Sequence, residues 1–274
     1  MRTAKGLIPR LTTCLLVAVL LASGGVAGAQ TGPRPICTQR SPNKDWYRLD
    51  EVAVGNIFET SLWALGWDRA EFSTTFYPPP RRFPERVDFA TEAAYHAAVS
   101  AHSCTYSAFS ATDGDVVSAW FEHAPWYGAQ EVMIFPYRDG AQLEIFGGYG
   151  GSEEYFLLNS RPKRVRLTIL EPAVVVPREQ DLRITSFRVA GRGEAELEDL
   201  FDFQPLPVPS YALTAGDRLT RLADRYATQH GAEPGVQNAL NGDGRLLYIA
   251  FEILDYYKGD QWDDNAVAEI RELP

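Results

Sequence analysis

The chain has 274 residues, with 26 Lys and Arg against 36 Asp and Glu, a net charge of −10. That length suits one large domain or two small ones. The acidic balance disfavours nucleic acid and anionic lipid as general partners and tolerates neutral or cationic ligands better.

The start reads as a secretory signal. Arg2, Lys5 and Arg10 precede an apolar run of twelve residues, Leu11 to Ala22, and Ala27-Gly28-Ala29 has the small-x-small form that signal peptidase cuts. The run is shorter than the roughly 20 residues that a membrane helix needs. Cys14 lies inside it rather than at its end, which argues against a lipoprotein. Residues 1–29 are therefore expected to be removed, and the protein to be secreted or periplasmic with no membrane span afterwards. Their loss takes three basic residues and no acids, which moves the net charge to −13.

Two cysteines then remain, Cys37 and Cys104. An even count in an exported chain suggests one disulfide; a pair of unlinked thiols is the alternative. No Cys/His spacing suggests zinc.

Residues 30–103 read as a mixed N-terminal extension of unknown role. Within it, Tyr77 to Arg86 is proline-rich and must be extended. Thr91 to His102 is alanine-rich and predicts a short helix capped by Thr91. From Cys104 onward short strands are expected. Glu131–Tyr137 and Ala141–Tyr149, joined by Arg138-Asp139-Gly140, read as a hairpin. Lys163–Leu170 alternates Val165, Leu167 and Ile169 against Arg164, Arg166 and Thr168, and Asp181–Ala190 continues in the same way. Leu247, Ile249, Phe251 and Ile253 form one face of a late strand, and Ala266–Ile270 reads as the closing strand. Asp217 to Gly231 has Leu219, Leu222, Ala223 and Tyr226 at helical spacing, which predicts one helix inserted among the last strands. The pattern is all-β, a sandwich or barrel.

Four stretches, Asp113–Glu122, Gly147–Leu167, Glu196–Val208 and Leu254–Ile270, resemble in order the discoidin-like, factor five/eight type C-like domain named after the translocation domain of a streptococcal NAD glycohydrolase. The resemblance spans roughly residues 104–273, which sets the expected domain at 104–274. It implies a jelly-roll β-sandwich of galactose-binding type and a non-catalytic, glycan-binding function. It does not imply NAD hydrolysis, because that enzyme's catalytic domain has no counterpart here. In carbohydrate-binding relatives of this fold a similar loop wraps a structural calcium ion. The matching positions are Asp113, Asp115, Ser118 and Glu269; the alternative is an Asx-turn without metal, and no cofactor is required.

The ligand residues expected are Trp126 and Tyr127, adjacent aromatics in a loop, with Tyr149, Asn159, Arg161 and Lys163. Aromatic faces stack on sugars, and Asn, Arg and Lys donate to hydroxyls. The other reading makes the cations solvated and Tyr155 part of the core. Trp120 is expected in the core. No GxSxG, HExxH or phosphate-cradling glycine loop is present, and the four histidines follow no ligand spacing. The expected partner is a carbohydrate or envelope glycan. A protein–protein adaptor using the same loops is the alternative, and a glycan hydrolase built on an acidic pair is a further one.

Overall fold

The computed structural model describes residues 44–64, 72–74, 84–122, 131–177, 182–214 and 247–273. The signal segment, Cys37, Trp126, Tyr127 and the helix expected at 217–231 lie outside the described residues.

Strands make up 47% of the described residues, about twice the usual share, so the fold is all-β. In chain order the elements are β1 (Ile57–Ala64), β2 (Phe72–Ser73), α1 (Glu92–Cys104), β3 (Trp120–Phe121), β4 (Val132–Tyr137), β5 (Leu143–Phe146), α2 (Glu153–Leu158), β6 (Asn159–Pro177), β7 (Leu182–Glu196), β8 (Gln204–Leu206), β9 (Leu247–Tyr257), β10 (Trp262–Val267) and β11 (Glu269–Glu272). A large sheet runs β1-β7-β6-β9-β4-β2, with β10 beside β6 and β3 beside β10. A small sheet runs β11-β5-β8. Every pairing is antiparallel except β10 with β6.

The alternation read from the sequence decides the main core. Val165, Leu167 and Ile169 of β6 and Leu247, Ile249, Phe251 and Ile253 of β9 share one cluster with Leu143 and Ile145 of β5 and Ile270 of β11. Trp120 is fully buried in it, as expected of an aromatic between sheets. The outward residues of β6 are ion-paired: Arg166 donates to Glu252 at 2.9 Å and to Glu194 at 3.2 Å.

The other face of the large sheet is also covered. Ile134, Phe187, Val189, Tyr248 and Ala250 pack with Trp46, Leu49, Phe58 and Leu62. Trp46 sits fully buried, its ring 5.2 Å from Phe58 and 5.7 Å from Phe187. Residues 44–64, read from sequence as part of an extension before Cys104, thus supply an edge strand and a second core layer to the same sheet. Burial on both faces explains why β9 reads as an almost unbroken apolar run.

Two local expectations change. β4 and β5 do not form a hairpin: β4 pairs with β9 and β2, while β5 pairs with β8 and β11. All six residues of β4 are buried, so it takes a central place with partners on both sides. The turn at Arg138–Gly140, with Gly140 at φ +76°, crosses between sheets. The closing segment is likewise two strands. It breaks at Ala268, whose N–H donates to the Phe146 carbonyl at 3.1 Å, and Val267 and Ile270 both reach the main core from different sheets.

α1 forms as expected, with the Thr91 hydroxyl accepting from the Ala94 N–H at 3.1 Å. Among the described residues no helix is long and apolar enough to cross a membrane.

Candidate functional site: an aromatic row beside an acidic loop

Five rings form a continuous row. Centroid separations are 4.8 Å for Tyr106–Phe121, 5.7 Å for Phe121–Tyr149, 6.1 Å for Tyr149–Tyr155 and 6.5 Å for Tyr155–Trp262. The last pair lies nearly parallel, 12° between planes. Tyr155 is 50% exposed and Trp262 37%, while the other three are half-buried. Burial raises the Tyr149 phenol above its ordinary pKa, and the Tyr106 and Tyr155 phenols and Asp115 add to this, so it is a hydroxyl donor at neutral pH.

The local sequence explains why the row exists. α1 ends at Cys104, whose carbonyl accepts from the Ser107 N–H and from the Ser107 and Ser110 hydroxyls. The chain can leave this knot only through Tyr106, held at φ +66°, a conformation rare outside glycine. The Phe121 N–H then donates to the Tyr106 carbonyl at 3.2 Å, which brings the two rings edge to face. The glycines around Tyr149 serve close approach. A Cβ on Gly150 would lie 2.4 Å from the Val116 carbonyl oxygen, and one on Gly151 would lie 2.6 Å from the Tyr149 ring.

α2 carries Tyr155. Ser152 caps it, its hydroxyl accepting from the Tyr155 N–H at 3.2 Å, and Glu153 and Glu154 fill the first turn. Its last carbonyls have no glycine cap and are met by side chains and a distant turn. Arg161 Nη1 donates to the carbonyls of Phe156 (3.0 Å), Leu157 (3.4 Å) and Asn159 (2.7 Å). Asn159 Nδ2 donates to the Tyr155 carbonyl at 2.7 Å. The Asp260 and Gln261 N–H groups donate to the Leu157 and Leu158 carbonyls at 3.0 and 3.1 Å. Gly259 makes that turn possible, since a Cβ there would lie 2.4 Å from Asn159 backbone carbon. In the acid-rich stretch near the C-terminus only residues 258–261 form a turn, whose backbone caps α2; Trp262, Asp263 and Asp264 begin β10, which sets Trp262 beside Tyr155. Asp260 and Asp263 are exposed in this stretch.

Of the six ligand residues expected, Tyr149 stands in the row. Arg161 is 4% exposed and Asn159 6%, and both are committed to α2. Arg161 also grips Asp199 with two bonds of 2.6 and 2.8 Å. Lys163 pairs with Asp255 at 3.4 Å beside the Tyr257 ring. Trp126 and Tyr127 lie outside the described residues. Sequence reasoning missed Trp262, because attention went to the aspartates around it. A tryptophan between acids at the start of a strand is itself a sign of an exposed ring.

The expected metal residues do meet. Glu269, 4% exposed, accepts from the Gly114 N–H at 2.9 Å. Burial, with Asp113 adding its charge, pushes its pKa up to about 8 against the opposing pull of the Gly114 N–H and Arg271. The remaining groups are turned inward. Ser118 Oγ lies 2.8 and 2.9 Å from the Asp113 carboxylate, which also accepts from the Asp115 N–H, and the Asp115 carboxylate accepts from the Val117 N–H. Among the described residues no group of three or more His, Cys, Asp or Glu side chains gathers as a metal set. Calcium needs six to eight oxygens, and this loop offers carboxylates already bonded to amides and a hydroxyl.

Among the described residues three further acids are buried, of which Glu171 pairs with Arg188 at 2.7 Å. Glu122 accepts from the Asn265 N–H at 2.9 Å, and Glu131 accepts from Tyr47 at 2.6 Å and from Thr74. Both brace the strands that flank residues 123–130.

The fold and the ring row define an all-β protein with two exposed aromatic rings, Tyr155 and Trp262, at the end of a row of five. No family model, curated protein or solved structure matches the chain.

Proposed function

We propose that this protein is a secreted, non-catalytic glycan-binding module of discoidin-like, jelly-roll type, and that it binds through the row Tyr106–Phe121–Tyr149–Tyr155–Trp262. The observation that carries the proposal is the exposure of two nearly parallel rings, Tyr155 and Trp262, at the end of a row of five. Large aromatic faces are costly to leave in water and suit the apolar face of a pyranose. The order of the four resembling sequence stretches and the all-β architecture support the family reading. Asn159 and Arg161 act here by holding α2, rather than by touching the sugar. The proposal does not depend on calcium; the acids of the Asp113–Ser118 loop and Glu269 accept from internal donors.

Binding on such a shallow surface is expected to be weak, on the order of 0.1 to 1 mM. A glycan array of the wild type, with Tyr155→Ala and Trp262→Ala printed alongside, tests it. Sugars bound by the wild type should be lost by both variants, while melting temperatures change little, since both side chains are exposed. An array with no bound sugar would overturn the reading in favour of the adaptor alternative, and unchanged binding by the variants would move the site elsewhere.

The same proposal includes a Cys37–Cys104 bridge. Cys104 is 2% exposed and disulfide-bonded, and after removal of residues 1–29 Cys37 is the one other cysteine in the chain. Thiol titration of the exported protein should find no reactive cysteine before reduction and two after it. Two reactive thiols in the native protein would mean that packing alone ties down the N-terminal segment.

A further inference from the structure

The rim of the ring row is strongly acidic. Residues 113–118, 149–155 and 258–264, which carry Tyr149, Tyr155 and Trp262 and the loop beside them, contain seven acids and one base, Lys258. Glu153 and Glu154 are exposed and precede Tyr155 in the first turn of α2, Asp260 and Asp263 are exposed within two residues of Trp262 in sequence, and Asp115 lies near enough to Tyr149 to act on its phenol. An anionic sugar laid on these rings would meet like charge at each of these places. A cation would meet both the carboxylates and the negative faces of the rings.

We infer that the row selects a cationic glycan, an oligomer of unacetylated amino sugar, over its neutral and anionic counterparts. This rests on the glycan-binding reading above and adds the substrate class. The exposed rings of Tyr155 and Trp262 supply apolar surface for the sugars, and the nearby exposed acids supply a negative field for the ammonium groups that free hexosamines carry. Among the described residues Arg161, the arginine that follows α2, does not offset the rim, because it is buried against Asp199. The protein's overall negative charge adds a long-range attraction of the same sign, and salt screens that part first.

The test is titration calorimetry of the intact protein with three hexamers of matched length: glucosamine, N-acetylglucosamine and a uronic acid. Measurements are made at mildly acidic pH, where the amines are charged. The glucosamine hexamer should bind about tenfold tighter than the acetylated one at low salt, the uronic acid should not bind, and the advantage should shrink at high salt. Trp262→Ala with Tyr155→Ala should abolish binding of both amino-sugar oligomers. The combination Glu153→Gln, Glu154→Gln, Asp260→Asn and Asp263→Asn should bring their affinities together. Equal affinity for the acetylated and free oligomers in the wild type would overturn the charge inference and leave the glycan reading standing. Preference for the uronic acid would overturn it as well. Binding of the glucosamine hexamer that survives loss of both rings would show bulk attraction to an acidic protein, and would defeat the inference. Failure of every oligomer, together with an empty array, would defeat both readings.

Discussion

Glu269→Gln should stabilise the protein at pH 8 and leave it nearly unchanged at pH 5. The Glu269 carboxyl is enclosed by β11 and the Asp113–Ser118 loop, with the Gly114 N–H as donor, Asp113 as a like charge and Arg271 as the nearby cation. Burial dominates, and the folded pKa of about 8 stands above the ordinary value of 4.5. Between those two values the folded state holds a proton that the unfolded chain has released. Stability therefore falls as pH rises through the window, by about 1.4 kcal/mol per unit, and levels off above the folded pKa. Glutamine does not titrate, and its side-chain oxygen can still accept from Gly114. The variant should exceed the wild type by about 3–5 kcal/mol at pH 8 and match it within about 1 kcal/mol at pH 5. Chemical denaturation at both pH values measures this. Parallel pH profiles would show that Glu269 titrates as an exposed acid. Adding calcium sharpens the result: a wild type that gains stability from calcium at pH 8, while the variant does not, would mean that the carboxylate is a metal ligand after all.

Arg161→Ala should cost about 2–3 kcal/mol, from buried carbonyls left without a charged donor and from lost packing, since the exposed partner Asp199 is solvated by water. The loss has two parts. The carbonyls of Phe156, Leu157 and Asn159 lose a donor, and Asp199 loses both its bonds. The guanidinium also lies 4.7 Å from the Phe156 ring centroid, so apolar contact goes too. Arg161→Lys should recover little, because one ammonium cannot reproduce the planar fork that reaches Asp199 and the helix end together. Asp199→Asn should cost less, since Asp199 is 36% exposed and water replaces part of its role. Thermal melts of the three variants order them. An Arg161→Ala protein as stable as the wild type would mean that the end of α2 does not depend on this side chain.

The comparison of sequence and structure turns on how many faces of each element are buried. β6 alternates between the main core and outward arginines, and that alternation was legible; β9 was legible as a strand from its apolar run, although Tyr248 and Ala250 bury its second face as well. α1 was legible from Thr91 and the alanines that follow. β4 reads like an ordinary hairpin strand because burial on both faces leaves no alternation, and period alone cannot tell a central strand from an edge one. The contribution of residues 44–64 was hidden for a related reason. Trp46, Phe58 and Leu62 are core residues only because the sheet they cover was assembled largely from segments more than a hundred residues away. α2 lay within a glycine-rich stretch that suggested a loop, although Ser152 followed by Glu153 and Glu154 is a helix start. Arg161 was misread with it. A cation next to a helix end can serve the helix, and sequence does not show whether it faces inward. The approach of Glu269 to the Asp113–Ser118 loop was legible from the resemblance, and the donor that meets it, Gly114, required coordinates.

The most direct test of the account is the indole N–H spectrum of the labelled protein. The chain has six tryptophans, and the Trp262 signal is assigned by its loss in Trp262→Phe. On addition of a sugar selected from the array, the Trp262 signal should shift in proportion to occupancy, while those of the fully buried Trp46 and Trp120 stay in place. A bound sugar that leaves the Trp262 signal unmoved would contradict the assignment of the ring row as the glycan site.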